Sequence, residues 1–331
     1  MASRFRYGLT FLITLSLAAC LTDTPSQQGD RAIGAQNVRL FVYPEESENT
    51  LLDAIKGART RVYLTTYLLT DLRVIDMLAQ ARARGAEARV LLEDAPYGGG
   101  VAAKSSFERL EKAGVPVKPG NPAFRFTHQK SLVIDQTAYV LTANMTRSAF
   151  QANREFGLIV TEPADVAEIV AAFNADWERT PFVPVSPRLI WSPVNSRARI
   201  NAVIASATAT LDIYAEVVQD NDQVRLMVEA ARRGARVRLI VPPPDGGVAA
   251  TPTDDMARLR AGGVLVRQLR SPTQHSKAMQ SDGKIAFVGS QNVTATSLDL
   301  NRELGMLVSD AAVLTRLASI FETDWARASE R

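Results

Sequence analysis

The chain has two histidines, His128 and His275, and both stand in the same short context. In "FTHQKSLVID" (126–135) and "QHSKAMQSD" (274–282) a lysine follows two residues later (Lys130, Lys277) and an aspartate seven residues later (Asp135, Asp282). A second apolar run follows each motif and ends in small polar residues, Leu141-Thr142-Ala143-Asn144 in one copy and Gly289-Ser290-Gln291-Asn292 in the other. Nine residues beyond each asparagine stands "NREFG" (153–157) or "NRELG" (301–305). Imidazole titrates near neutrality and can serve as nucleophile, base or acid. Lysine adds a fixed positive charge, and Asn and Ser/Thr add neutral donors. Cleaving a phosphodiester needs such a set: a nucleophile, an acid for the leaving alkoxide, and donors for the phosphoryl oxygens. As zinc ligands the histidines are poor candidates, because no cysteine or second histidine is near and the flanking lysines repel a cation. No metal and no cofactor is expected.

These groups have to be held by regular elements. In a strand, residues i and i+2 share a face. Each histidine and its lysine are therefore expected to point the same way along a strand. Asp135 and Asp282, at an odd offset, fall on the other face and read as structural residues at a strand end or turn. The surrounding sequence is duplicated. "LLDAIKGARTRVYLTTYLLTD" (51–71) lines up with "RINAVIASATATLDIYAEVVQD" (199–220), and "VIDMLAQARARGAEARVLL" (74–92) with "VRLMVEAARRGARVRLIV" (224–241). Gly85 and Gly234 stop a helical pattern before a short Val/Leu-rich strand in each copy. Both copies close on an aromatic helix, "FNADW" (173–177) and "FETDW" (321–325). The offset is about 148 residues, too long for a solenoid unit, so two fused pseudo-symmetric domains are expected, in one monomer with an internal two-fold. Strands alternating with helices imply an α/β layered architecture. The four prolines of "TPFVPVSPRLIWSPVNS" mark a linker over 181–198 between repeats at 36–180 and 199–331.

The second copy reads in full H-x-K-x4-D-x6-G-S-x-N and resembles the phospholipase D superfamily, a resemblance that runs from about residue 36 to the end. The first copy departs from it: Leu141-Thr142 replaces Gly-Ser, and the turn after Asp135 is one residue shorter. Leu141 in place of glycine is expected to narrow the pocket on that side. The resemblance implies two α/β/α sandwich domains with the active site at their interface, and a covalent phosphohistidine formed without metal. His128 would then be the nucleophile and His275 the general acid. Glu155 would orient His275, and Glu303 would orient His128. The catalytic set so implied is His128, Lys130, Asn144, Glu155, His275, Lys277, Ser290, Asn292 and Glu303, with Asp135, Asp282, Thr142 and Gly289 as structural motif residues.

The rest of the chain bears on substrate and place. Arg4 and Arg6 precede an apolar run too short to span a bilayer, which reads as a signal peptide over 1–19. It ends in Leu17-Ala18-Ala19-Cys20, which resembles a bacterial lipobox. Lipid modification of Cys20 would hold the protein on a membrane surface through a polar tether over 20–35, and Leu21 favours an outer membrane where there is one. Cys20 is the only cysteine, so no disulfide can form within the chain. A phospholipid substrate with water or an alcohol as acceptor is the leading expectation. A nuclease of the same superfamily ranks below it, because a net charge of +3 and 7% aromatic residues do not make a basic, aromatic-studded groove. A degenerate lipid- or phosphate-binding lipoprotein is the third reading. Tyr67 and Glu216 occupy equivalent repeat positions at the ends of strands, where Glu216 fits either the pocket or its rim. Arg154 and Arg302 fit phosphate contacts or structural ion pairs. The glycine runs "PYGGGVA" (96–102) and "PPPDGGVAATP" (242–252) lack a Walker lysine and read as loops near the cleft.

Overall fold

A computed structural model describes residues 1–2, 38–97, 100–245 and 251–330. Cys20 with its signal and tether, and the glycines at the centre of both glycine runs, lie outside the described residues. The first repeat comprises β1 (Val38–Tyr43), α1 (Asn49–Gly57), β2 (Arg61–Thr66), α2 (Leu72–Ala83), β3 (Glu87–Leu92), α3 (Val101–Lys112), β4 (Val117–Pro119), β5 (Ser131–Ile134), β6 (Thr137–Leu141), α4 (Arg147–Gln151), β7 (Asn153–Val160) and α5 (Pro163–Glu178). The second comprises β8 (Leu189–Ser192), α6 (Ser196–Ala205), β9 (Thr210–Tyr214), α7 (Asn221–Arg232), β10 (Arg236–Val241), α8 (Thr253–Ala261), β11 (Leu265–Gln268), β12 (Thr273–Gln274), β13 (Ala278–Ser281), β14 (Ile285–Gly289), α9 (Ala295–Asp299), β15 (Glu303–Val308) and α10 (Ala311–Arg327).

Each repeat builds one mixed sheet. Its order is β1-β7-β6-β5-β2-β3-β4 in the first and β11-β10-β9-β13-β14-β15-β8 in the second. The parallel side (β2-β3-β4, β9-β10-β11) is connected through helices, as parallel neighbours require, and the antiparallel side through a tight hairpin. The sequence punctuates the two repeats alike. Asp71 and Asp220 accept from the first turns of α2 and α7 as N-caps. Gly85 and Gly234 leave those helices at φ 99°, a conformation that penalises any residue with a Cβ.

The segment read as a linker is not free of structure. Its centre, Leu-Ile-Trp-Ser, forms β8, which pairs antiparallel with β15 at the sheet edge. Pro187 and Pro193 stand just outside the four paired residues, where a missing N–H costs no ladder bond. β8 corresponds to β1, so the second repeat begins about ten residues earlier than expected.

Two apolar clusters fill the space between each sheet and its own helices, one around Leu51, Leu78 and Leu132 and one around Ile204, Met227 and Met279. A third lies between the repeats and takes residues from both, including Phe156, Phe173, Trp191, Tyr214 and Phe321. Each sheet thus buries both faces. The described residues from Val38 to Glu330 belong to one compact unit.

Candidate active site

Neither histidine lies within a strand. β5 begins at Ser131 and β13 at Ala278, so His-x-Lys occupies the extended segment that leads into each. That segment leaves its own sheet to pair with the other repeat. Thr127 forms a parallel bridge with Arg302, and the His128 N–H donates to the Arg302 carbonyl at 3.0 Å. In the second repeat β12 runs parallel to β7, with Gln274 opposite Arg154. Each histidine is therefore aligned by the backbone of the partner repeat's Asn-Arg-Glu segment.

The glutamate of that segment meets the histidine. Both oxygens of Glu303 lie 2.9 Å from His128 Nδ1. Glu155 Oε1 lies 2.6 Å from His275 Nδ1, close but off the line of a well-directed hydrogen bond. Both carboxylates are fully buried. Asn301 and Ser297 donate to Glu303 Oε1 at 3.1 and 2.6 Å, while Asn153 and Thr142 serve Glu155. Burial pushes both carboxyls up, but the facing imidazole and the lysines outweigh it and leave both below the ordinary glutamate range. Burial lowers the His128 imidazole against the pull of Glu303. With Nδ1 taken by a carboxylate, each ring has Nε2 left for chemistry.

Both lysines are buried and hydrogen-bond back to their own histidine's carbonyl, Lys130 at 2.8 Å and Lys277 at 2.6 Å. Lys277 also donates to Glu216 at 2.6 Å. Glu216 thus lies in the pocket rather than on its rim. Lys130 faces the Tyr67 ring instead, 5.4 Å from its centroid, and burial draws its ammonium down to about 7. Asn144 and Asn292 keep side-chain oxygens buried without a protein partner. Those amides are free for a ligand, whichever way they are turned.

Ser290, expected among the phosphoryl donors, is fully buried, and its hydroxyl exchanges hydrogen bonds with the Leu304 backbone at 3.1 and 3.3 Å. Thr142 is engaged likewise, accepting from the Phe156 N–H at 2.9 Å and donating to Glu155. The two hydroxyls brace the strand that carries the glutamate. Nor does Leu141 narrow the pocket. Its side chain lies in the first repeat's core with Phe41, whose ring covers Gly157, the residue paired with Leu141. In the second repeat Gly289 faces Gly305, where a Cβ would stand 2.4 Å from the Gly305 Cα.

Asp135 and Asp282 sit at turns, at φ 52° and 51°. Their carboxylates gather backbone N–H groups ahead of β2 (Arg59, Thr60, Arg61) and β9 (Thr208, Ala209, Thr210), away from the histidines. The arginines are structural ties between repeats. Arg154 Nε donates to Asp324 of α10 at 2.6 Å, and Arg302 Nε to Asp176 of α5 at 2.7 Å, with its guanidinium stacked near Phe124, Phe182 and Trp191. Two contacts of the candidate site escaped the sequence: the Tyr67 ring edge-on to His128 at 4.7 Å, and the Glu216–Lys277 pair. The equivalence of positions 67 and 216 was the available signal.

The family model described as "Cardiolipin synthase, PLD-like domain" matches the chain twice, over residues 51–177 and 200–325. A probable cardiolipin synthase of Bacillus subtilis is 24% identical over 332 aligned positions, covering 87% of this chain. The chain spans 66% of that relative's length. Among solved structures, phosphatidylserine synthase of Haemophilus influenzae superposes with a TM-score of 0.67 at 13% identity, covering 90% of this chain and 88% of the other. Polyphosphate kinase of Porphyromonas gingivalis gives a TM-score of 0.69 at 17% identity, covering 87% of this chain and 50% of that one. These two likenesses concern the fold.

Proposed function

Because the chain belongs to the cardiolipin synthase, PLD-like domain family, matched in both of its repeats, we propose that it is a phospholipase D-type enzyme that hydrolyses or transfers phosphatidyl groups through a covalent phosphohistidine. The observation that carries this reading is the exchange of partners: each histidine is held through Nδ1 by a buried glutamate of the other repeat. A ring so held is oriented, keeps Nε2 for reaction, and has a negative charge behind it when it becomes cationic.

His128 Nε2 attacks phosphorus while His275 Nε2–H protonates the departing alkoxide. The P–N bond forms as the P–O bond breaks, and the head-group alcohol leaves. His275, now neutral, takes a proton from water or an alcohol hydroxyl as that oxygen attacks the phosphohistidine. The P–N bond then breaks, releasing phosphatidate or a new diester. Lys130, Lys277, Asn144 and Asn292 surround the phosphoryl oxygens. Lys130 has the less compensated charge of the two lysines. The same reading places the enzyme at a membrane surface through lipid-modified Cys20, where its substrate is concentrated.

The test is incubation of the purified protein with labelled phosphatidylglycerol, phosphatidylcholine and single-stranded DNA, with chelator present. Head-group release, or transfer to an added alcohol, is expected, with a phosphoryl adduct on His128 trapped by acid-free quenching. Cleavage of DNA with lipids intact would overturn the proposal. The anchor is tested by metabolic lipid labelling, which Cys20→Ser should abolish; labelling that persists would refute it.

A further inference from the structure

Tyr67 and Glu216 stand just beyond the equivalent strands β2 and β9, yet they treat the two lysines differently. Tyr67 offers Lys130 a ring face, which brings no countercharge. Glu216 offers Lys277 a carboxylate at 2.6 Å, and the same oxygen lies 3.8 Å from His275 Nε2, the nitrogen turned away from Glu155. Glu216 is buried, so water does little to screen it. Burial pushes its carboxyl up, but Lys277 and His275 outweigh that and hold it ionised. The reaction as written does not require this third carboxylate, since each histidine already has its own.

Its effect lies in the charge of the cleft. With both lysines and the general-acid imidazole of the proposed mechanism protonated, three positive charges face the three carboxylates Glu155, Glu216 and Glu303, and because burial draws Lys130 down to about 7 the cleft is at most neutral near neutral pH. Without the charge at position 216 the cleft would be more positive by one unit. A phosphodiester brings one negative charge, whereas a phosphomonoester, with a second pKa near 6, brings about two at neutral pH. We infer that Glu216 is a specificity-determining residue that tunes the cleft to singly charged phosphodiesters and against doubly charged phosphomonoesters and inorganic phosphate. The inference rests on the reading of this cleft as a phosphodiester site. It also gives a hydrolytic product of the monoester class a reason to leave.

The experiment measures binding without turnover. Inorganic phosphate and dimethyl phosphate are titrated by calorimetry at pH 7.5 into the wild-type protein and the Glu216→Gln and Tyr67→Glu variants, with folding checked by circular dichroism. Glu216→Gln is expected to raise the phosphate-to-dimethyl phosphate affinity ratio about tenfold, the change that about 1.4 kcal/mol produces. Tyr67→Glu, which adds a carboxylate facing Lys130, is expected to lower it. Should Glu216→Gln fail to fold, Tyr67→Glu still decides. An unchanged ratio in the folded variants would overturn the inference and reduce Glu216 to a brace for Lys277. An absence of lipid cleavage by the wild-type protein would instead refute the proposed function and leave the ratio to be read.

Discussion

Replacing Glu303 by glutamine would keep the shape of the group behind His128 and remove its charge. Both native oxygens lie 2.9 Å from His128 Nδ1, and Ser297 and Asn301 hold the carboxylate from the other side. The glutamine carbonyl can still accept from the ring, so orientation survives. On the proposed mechanism, what is lost is stabilisation of the imidazole as it gains positive charge in attacking phosphorus. A hydrogen bond to a charged group contributes about 1.5–3 kcal/mol against about 1 for a neutral one, which sets a floor near 0.5 kcal/mol. Two unit charges about 4 Å apart at an effective dielectric near 20 interact by about 4 kcal/mol, which sets a ceiling. Adduct formation should therefore slow by about 2-fold to about 1,000-fold, at about 1.36 kcal/mol per decade. Glu155→Gln removes the corresponding charge beside His275, where it matters only if the leaving group needs a proton. Rapid-quench measurement of the phosphohistidine with a p-nitrophenyl diester and with an alkyl diester separates the two. Glu303→Gln should be slow with both substrates and Glu155→Gln slow only with the alkyl diester. The opposite pattern would reverse the roles of the histidines, and equal sensitivity would refute the division of labour.

Three further outcomes are expected. Arg154→Met leaves Asp324 buried without its guanidinium partner and should cost about 3–5 kcal/mol in urea denaturation, as breaking one side of a buried pair does; a loss below about 1 kcal/mol would contradict a structural role. Burial draws Lys130 down to about 7, whereas in the unfolded chain it titrates near 10.4. Between those values the unfolded state binds more protons, so native stability should rise with pH across that window, and Lys130→Met should lose the rise. Denaturation curves at successive pH values would refute this if the wild-type protein, relative to the variant, weakened instead. Backbone N–H groups and the Thr208 hydroxyl outweigh burial and hold the Asp282 carboxyl well below its usual range. Its contribution is present above about pH 4 and lost as pH falls. Asp282→Asn should flatten the acid limb of stability while phosphohistidine formation persists, and an unchanged acid limb would count against the turn-bracing role.

The duplication and its layered α/β character were legible because helix stops, caps and apolar runs recur at one offset, and physical signals of that kind are local. Gly85 and Gly234 end their helices for the same backbone reason. β8 was hidden because four apolar residues between prolines carry too little periodicity to separate an edge strand from a linker. The strand position expected for the histidines failed for a different reason: the segments that carry them are drawn out of their own sheets to pair with the other repeat. The proximity of Glu303 to His128 joins residues 175 apart and came from the resemblance, since no spacing rule spans that distance. Ser290 and Thr142 have the right chemistry for phosphate donors, and only burial reveals that their hydroxyls are already spent on backbone and glutamate. Leu141 looked like an obstruction because a motif gives residue types without saying which side of the strand each one faces.

The backbone pairing of Thr127 with Arg302, and of Gln274 with Arg154, makes each repeat the jig in which the other's imidazole is set. No single copy holds the whole candidate site, so on the proposed mechanism a lone copy would have to pair with a second before it could act. In two identical copies every change at one half-site is imposed on both. Fusion into one chain lifts that constraint: a tyrosine can stand at position 67 and a glutamate at 216 without either being forced on the opposite side. A pseudo-symmetric protein thereby gains what a symmetric pair cannot have, a left and a right hand at its candidate site.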